Sequence, residues 1–190
     1  MTTKVLSALF LIVFFISDCK PALKLTGNYK SPKKENAISI KNYCSRNDVK
    51  YDLLFCAKSE SDYKAFLKMY NAIPTTLIYN HAGDLVSVNS GSDCPWQTLQ
   101  KFKELNDSNK TAVTIIKGNN ISGILSHLHC IDGNSTSLAN YDYDYLFVYT
   151  WAKFIPKLSK DMFAASKDVK SNAHFRVKVI SVNLDLQDTW

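Results

Sequence analysis

The stretch Tyr145-Leu-Phe-Val-Tyr-Thr-Trp151-Ala-Lys-Phe-Ile155-Pro-Lys-Leu158 decides how this chain is read. Its first seven residues are mostly aromatic, β-branched or otherwise apolar, and predict a strand. Pro156 then suits the first turn of a helix, where the missing N–H costs nothing. Leu158, Met162, Ala165 and Val169 continue on one helical face, which predicts a helix over 156–170. A second β-rich run, Phe175 to Asp185, has an apolar core at Val179-Ile-Ser-Val-Asn-Leu184. Strand, helix and strand make a βαβ unit, so the two strands are expected to be parallel and the crossover right-handed.

Working outward, Tyr51 to Cys56 predicts another strand. Ser59 with Asp62 forms a capping pattern ahead of Tyr63, Phe66, Leu67 and Tyr70, which predicts an amphipathic helix. Ile73-Pro74 ends that helix. Thr75 to Asn80 and Leu85 to Val88 flank His81-Ala-Gly83-Asp84 and should form an antiparallel hairpin. Cys94-Pro95-Trp96 opens a helix ending near Leu105, and Thr111 to Lys117 is a further strand. Ala37 to Ile40 reads as a short strand, and Ile121 to Cys130 as irregular helix within a loop region.

The N-terminus is of another kind. Met1 to Lys4 is a short basic region, and Val5 to Ser17 is apolar apart from Ser7 and Ser17. That run is too short to span about 30 Å of hydrocarbon, so residues 1–19 read as an export signal. Ile16-Ser17-Asp18-Cys19 resembles a bacterial lipobox, which implies Cys19 as the lipidated first residue of a mature lipoprotein. Asp18 departs from that pattern, which prefers a small residue, and leaves open ordinary cleavage to a soluble form or an uncleaved anchor. Residues 20–36, rich in Lys and Pro, read as a tether, and 37–190 as the domain.

The 190 residues are 46% hydrophobic and 21% charged, which excludes a disordered chain. The net charge of +6 is unchanged once Lys4 and Asp18 leave with the signal. Lysines beside a lipid anchor suit an anionic membrane surface. No zinc-finger spacing, RNP-like motif or arginine cluster supports a nucleic-acid partner.

Two blocks resemble thioredoxin-like proteins, especially the membrane-tethered bacterial type. Thr150-Trp-Ala-Lys-Phe-Ile-Pro-Lys-Leu-Ser-Lys-Asp-Met162 aligns without gaps to T-W-A-x-W-C-x-x-C-x-x-E-M. Ile73-Pro74-Thr-Thr-Leu-Ile-Tyr-Asn80 with Gly83 to Val86 resembles the family's cis-proline hairpin. The resemblance implies an α/β fold, a thioredoxin-like mixed sheet with flanking helices, and makes Trp151, Phe154, Ile155, Leu158 and Pro74 the equivalents of the family's site. The blocks stand in reversed order, which implies either a rearranged single domain or a divergent domain followed by a truncated second one. Truncation would expose sheet edge and apolar surface, so the single domain is favoured.

Thiol-disulfide exchange needs a thiolate at a helix N-terminus and a second thiol one turn on. Ile155 and Leu158 supply neither. The expected role is therefore binding, scaffolding or folding assistance for a protein or peptide partner, in a cell-envelope lipoprotein facing the periplasm. A secreted or soluble periplasmic form is the alternative address, and no cofactor or metal is expected. The competing function is an oxidoreductase using Cys94 with Cys44 or Cys130. At a helix start the dipole lowers the pKa of Cys94, although Asp93 acts the other way. Cys56, in an apolar strand, reads as a buried thiol, and His127-Leu-His129-Cys130 as surface loop. Tyr141-Asp-Tyr-Asp-Tyr145 reads as a solvated strand entry.

Overall fold

The structure is a computed structural model that describes residues 29–70, 73–87, 95–105, 113–133, 138, 142–171 and 174–190. In chain order the elements are β1 (Lys34–Glu35), α1 (Ala37–Arg46), β2 (Leu53–Ala57), α2 (Glu60–Tyr70), β3 (Thr76–Asn80), β4 (Asp84–Ser87) and α3 (Pro95–Glu104). They continue with β5 (Thr114–Asn120), α4 (Ile121–Leu125), β6 (Leu128–Cys130), β7 (Tyr145–Trp151), α5 (Pro156–Lys170), β8 (Val177–Asn183) and β9 (Leu186–Gln187).

Seven strands form one mixed sheet in the order β5-β4-β3-β7-β8-β2-β6, and β1 pairs separately with β9. The expected βαβ unit is present: β7 and β8 are parallel, with Phe147 opposite Val179, and α5 spans the residues that the apolar spacing predicts. On its other side β7 takes β3 antiparallel, from Thr76 opposite Tyr149 to Asn80 opposite Tyr145. The hairpin and the βαβ unit therefore share one sheet. The protein is an α/β single domain, and the alternative of a divergent domain followed by a truncated second one does not hold.

Period-2 alternation along β7 sorts its side chains between two cores. Phe147, Tyr149 and Trp151 face a layer containing Ile40 and Cys44 of α1, Phe102 of α3 and Phe163 and Val169 of α5. Leu146 and Val148 face Phe66 of α2 and Ile121 and Ile124 of α4. Both faces of the central strands are thus covered, which is why β2 and most of β7 are buried along their length.

Several local readings change. Ala37 to Ile40 begins α1 instead of a strand, because Asn36 and Ser39 form a reciprocal capping box: the Ser39 amide donates to the Asn36 side chain at 2.9 Å, and the Asn36 amide donates to Ser39 Oγ at 3.1 Å. The Ile-Ser-Ile alternation misled, since Ile40 is buried while Ile38 is 71% exposed. The segment Ile121 to Cys130 divides into α4 and β6, and β6 pairs antiparallel with β2, so His129 and Cys130 lie in a strand and not in a loop. The hairpin turn requires Gly83, whose φ is +82° and whose missing Cβ would come within 2.8 Å of Ile121 Cγ2. Ser59 caps α2 as its spacing predicts, accepting the Asp62 amide at 3.1 Å.

Candidate functional site

The carboxyl ends of β7 and β8 lie side by side, the usual position for a ligand in a sheet with parallel strands. The turn from β7 into α5 is fastened residue by residue. Trp151, fully buried, donates its indole N–H to Ser181 Oγ at 2.8 Å and stacks on Tyr43 with ring centroids 5.4 Å apart. Ser159 Oγ donates to the Ala152 carbonyl at 2.7 Å and accepts the Ala152 amide at 3.2 Å. The Lys153 amide donates to both carboxylate oxygens of Asp185, at 3.0 and 2.9 Å.

Ile155 and Leu158, the two positions where the resemblance looks for thiols, open α5. Ile155 is 8% exposed and packed into the fold, whereas Leu158 is 44% exposed. Neither has a group that ionises or attacks, so this helix start holds no nucleophile. Trp151 is a core side chain, and Phe154 is half-buried beside the cleft described below. The Ile73–Pro74 bond is cis, and Pro74 sits at the same end of the sheet as this turn. Its neighbour Thr75 donates to Thr150 Oγ1 at 2.7 Å and accepts the Thr150 amide at 2.9 Å. Pro74 and the β7–α5 turn, more than seventy residues apart in sequence, are therefore brought together.

Next to this turn opens a cleft of about 260 Å³, lined by Lys30, Lys33, Glu35, Tyr43, Lys153, Phe154 and Asp185 among others. Lys153 Nζ meets Glu35 Oε2 at 2.5 Å and lies 5.6 Å from the Tyr43 ring centroid. Burial works against the charge on Glu35, but hydrogen bonds from Lys153 and Ser39 outweigh it and hold its carboxyl below the usual range. Asp185, 2% exposed, goes the other way: burial pushes its carboxyl up and the charge of Glu35 adds to this, against bonds from Asn183 and the Lys153 backbone. Burial and the charge of Asp185 together raise Tyr43.

Sequence reasoning missed Glu35, Asp185, Tyr43 and Ser159. Glu35 lies in the lysine-rich segment read as tether, yet residues 29–36 are built into the fold: the Lys30 amide donates to the Phe154 carbonyl at 2.7 Å, and the Asp188 amide donates to the Glu35 carbonyl at 2.9 Å. The one signal for Asp185 was its place directly after an apolar strand run, which says that a strand ends there but not that a charge is enclosed.

The candidate cysteines are dispersed. Cys44, Cys56 and Cys130 are free. Phe55 lies opposite Cys130 and Cys56 opposite His129, so Cys56 and Cys130 project to opposite faces of the sheet. Burial pushes the thiols of Cys44 and Cys56 up to about 12, far from a reactive thiolate. Cys94 and the lipobox cysteine, Cys19, lie outside the described residues. The two imidazoles of the His-x-His pattern are engaged apart: His127 Nδ1 is 2.9 Å from Asp62 Oδ1, and His129 Nδ1 is 3.5 Å from Cys56 Sγ. Among the described residues no group of three or more His, Cys, Asp or Glu is arranged to hold a metal ion.

A second, more open cleft of about 520 Å³ lies at the opposite end of β7, lined by Asn80, His81, Asp144, Tyr145, His174 and Phe175. There the acidic strand entry is solvent-exposed at Asp142 and paired with a cation: Arg176 bonds Asp142, and its Nη2 reaches Asp144 Oδ1 at 3.0 Å. His81 Nδ1–H donates to the Tyr143 carbonyl at 2.9 Å.

No helix among the described residues is long and apolar enough to cross a membrane. Comparison of the chain with models of known protein families, with curated proteins and with solved structures finds no match in any of the three.

Proposed function

We propose that this protein is a thioredoxin-like domain in permuted order that works by binding and not by thiol-disulfide exchange. It holds a protein or peptide partner at the cleft beside the β7–α5 turn, in a scaffolding or folding-assistance role. The observation that carries the reading is the pairing of β3 with β7: it brings the Pro74–Thr75 end of the hairpin to Thr150, at the end of the strand that leads into a helix start occupied by Ile155 and Leu158. This pairing supports reading the cleft as the groove of a thioredoxin-like fold without its chemistry. Among the described residues the two buried thiols, Cys44 and Cys56, add nothing reactive to it.

The address follows from the N-terminal residues. Export by the 1–19 signal and lipidation at Cys19 would hold the domain at the bacterial cell envelope on a short basic segment, facing the periplasm. Substituting Cys19→Ala and fractionating membranes tests this, since an unchanged partition and mass would refute lipidation.

Insulin reduction by the mature domain tests the central claim. No turnover above background is expected from the wild-type protein or from Cys94→Ser. Turnover that Cys94→Ser abolishes would overturn the binding reading in favour of an oxidoreductase built on Cys94.

A further inference from the structure

Residues 29–35 run across the end of the proposed binding cleft. Tyr29 packs edge-on against Phe154 at 5.9 Å, the Lys30 amide holds the Phe154 carbonyl, and Lys34–Glu35 pair in parallel with Leu186–Gln187. Lys34 Nζ also reaches the Trp190 carbonyl at 2.6 Å. The attachment is local: two residue pairs of ladder, the Lys30 and Asp188 amide bonds, and one well-enclosed side chain, Glu35, 12% exposed, which accepts from Ser39 Oγ at 2.6 Å and meets Lys153. Glu35 thereby joins Asp185 on the same cleft, and Lys153 engages both, Glu35 through its ammonium and Asp185 through its amide.

We propose that residues 29–35 are a displaceable strap forming one wall of the cleft, and that the protonation state of the Asp185 and Glu35 carboxylates sets how tightly it docks. When the strap leaves, it uncovers the Phe154 carbonyl and the cleft floor for an extended peptide.

The charges around Asp185 decide the direction. From β1 comes Glu35, from the β7–α5 turn Lys153, and from α1 and α2 the phenols Tyr43 and Tyr63, both kept neutral by burial with Asp185 adding to the effect. Lys33 acts on Glu35 from within the strap, and Lys30 lines the cleft. Docking brings the negative charge of Glu35 to a carboxylate that burial already disfavours, so it raises the proton affinity of Asp185. By linkage, a proton on Asp185 favours docking in return. Both Asp185 oxygens lie within reach of the Lys153 amide, so one can be protonated while the other keeps that bond. The tight state is then Glu35 ionised, Lys153 charged and Asp185 neutral. Docking loosens as pH rises through the raised Asp185 pKa, and loosens again as pH falls through the lowered Glu35 pKa.

The test is hydrogen–deuterium exchange on the full chain, read by mass spectrometry at about pH 4 and about pH 8 and corrected for intrinsic exchange rates. The peptides that report are those holding the Lys30 and Asp188 amides. Their protection should be lower at the higher pH, by up to about tenfold for each pKa unit by which docking raises Asp185, while β7 and β8 keep theirs. Asp185→Asn, neutral at both pH values, should hold the strap closed at both. Glu35→Gln should weaken it at both and remove the pH response; should Asp185→Asn not fold, this variant carries the test. Strap protection that ignores pH in the wild-type protein, or a pH response that survives either substitution, would overturn the proposal. The inference rests on the cleft being the binding site, but amide exchange reads the strap without ligand or thiol chemistry, so its failure and that of the binding reading are told apart.

Discussion

Thr75 and Thr150 hold each other by two hydrogen bonds: the Thr75 amide donates to Thr150 Oγ1 at 2.7 Å, and the Thr150 amide donates to the Thr75 carbonyl at 2.9 Å. Thr150 is fully buried, so its hydroxyl is the acceptor that satisfies the Thr75 amide at the sheet end. Thr150→Val keeps the shape and strand preference but orphans that amide. A loss of about 1–3 kcal/mol is expected, read as a lower urea midpoint at unchanged m-value. An unshifted midpoint would show that water satisfies the amide and that the clasp does not join the two segments.

Ser159 makes the corresponding clasp inside the β7–α5 turn, giving and receiving one hydrogen bond with Ala152. Ser159→Ala removes both in a fully buried setting, with an expected cost of about 1–3 kcal/mol and faster amide exchange at Ala152 and Lys153. Loss of stability without faster exchange there would assign Ser159 to packing alone.

As through Glu35, acid should destabilise the protein in part through Asp52. Burial opposes its charge, but the Val179 amide at 2.9 Å and Lys170 Nζ at 2.9 Å overcome this and lower its pKa. A carboxyl whose folded pKa lies below its unfolded value stabilises at neutral pH, and that contribution is lost as pH falls below about 4. Asp48, pulled down to about 2 by Lys167 and Lys50, acts in the same direction. Asp185, shifted upward, acts in the opposite one. Urea midpoints should therefore drop on the acid side, and Asp52→Asn should lower the neutral plateau and flatten that limb. An acid limb of unchanged slope in Asp52→Asn would locate the titration elsewhere.

Iodoacetamide labelling with site-resolved mass spectrometry reads the thiols. Cys44 and Cys56, both buried and pushed up to about 12, should stay unlabelled in the native protein near pH 8 and label fully in urea. Fast native labelling at either one would contradict the buried, protonated state from which the binding reading draws support.

Much of the architecture was legible in local pattern. The run from Tyr145 to Trp151, the Pro156 helix start and the Ser59 cap are short-range signals whose physical causes lie within one or two turns of chain. The same logic failed at Ala37 to Ile40, where alternation over four residues was outweighed by the Asn36–Ser39 capping box. At Ile121 to Cys130 the sequence carried no sign that an edge strand would form against β2. At the candidate site, Trp151, Ile155, Leu158 and Pro74 were legible because they belong to patterned segments. Glu35 and Asp185 were not, because each is unremarkable among its sequence neighbours.

By itself the sequence determined the strand and helix types of the central βαβ unit and the absence of thiols at positions 155 and 158. Those properties depend on side-chain chemistry and local geometry alone. Tertiary structure decided that the hairpin joins the βαβ unit in one sheet, that residues 29–36 lie across its end, and that Lys153 stands between two carboxylates. Glu35 and Asp185 come from opposite ends of the domain, and their proton affinities arise from burial and mutual charge, which exist only once the chain has folded.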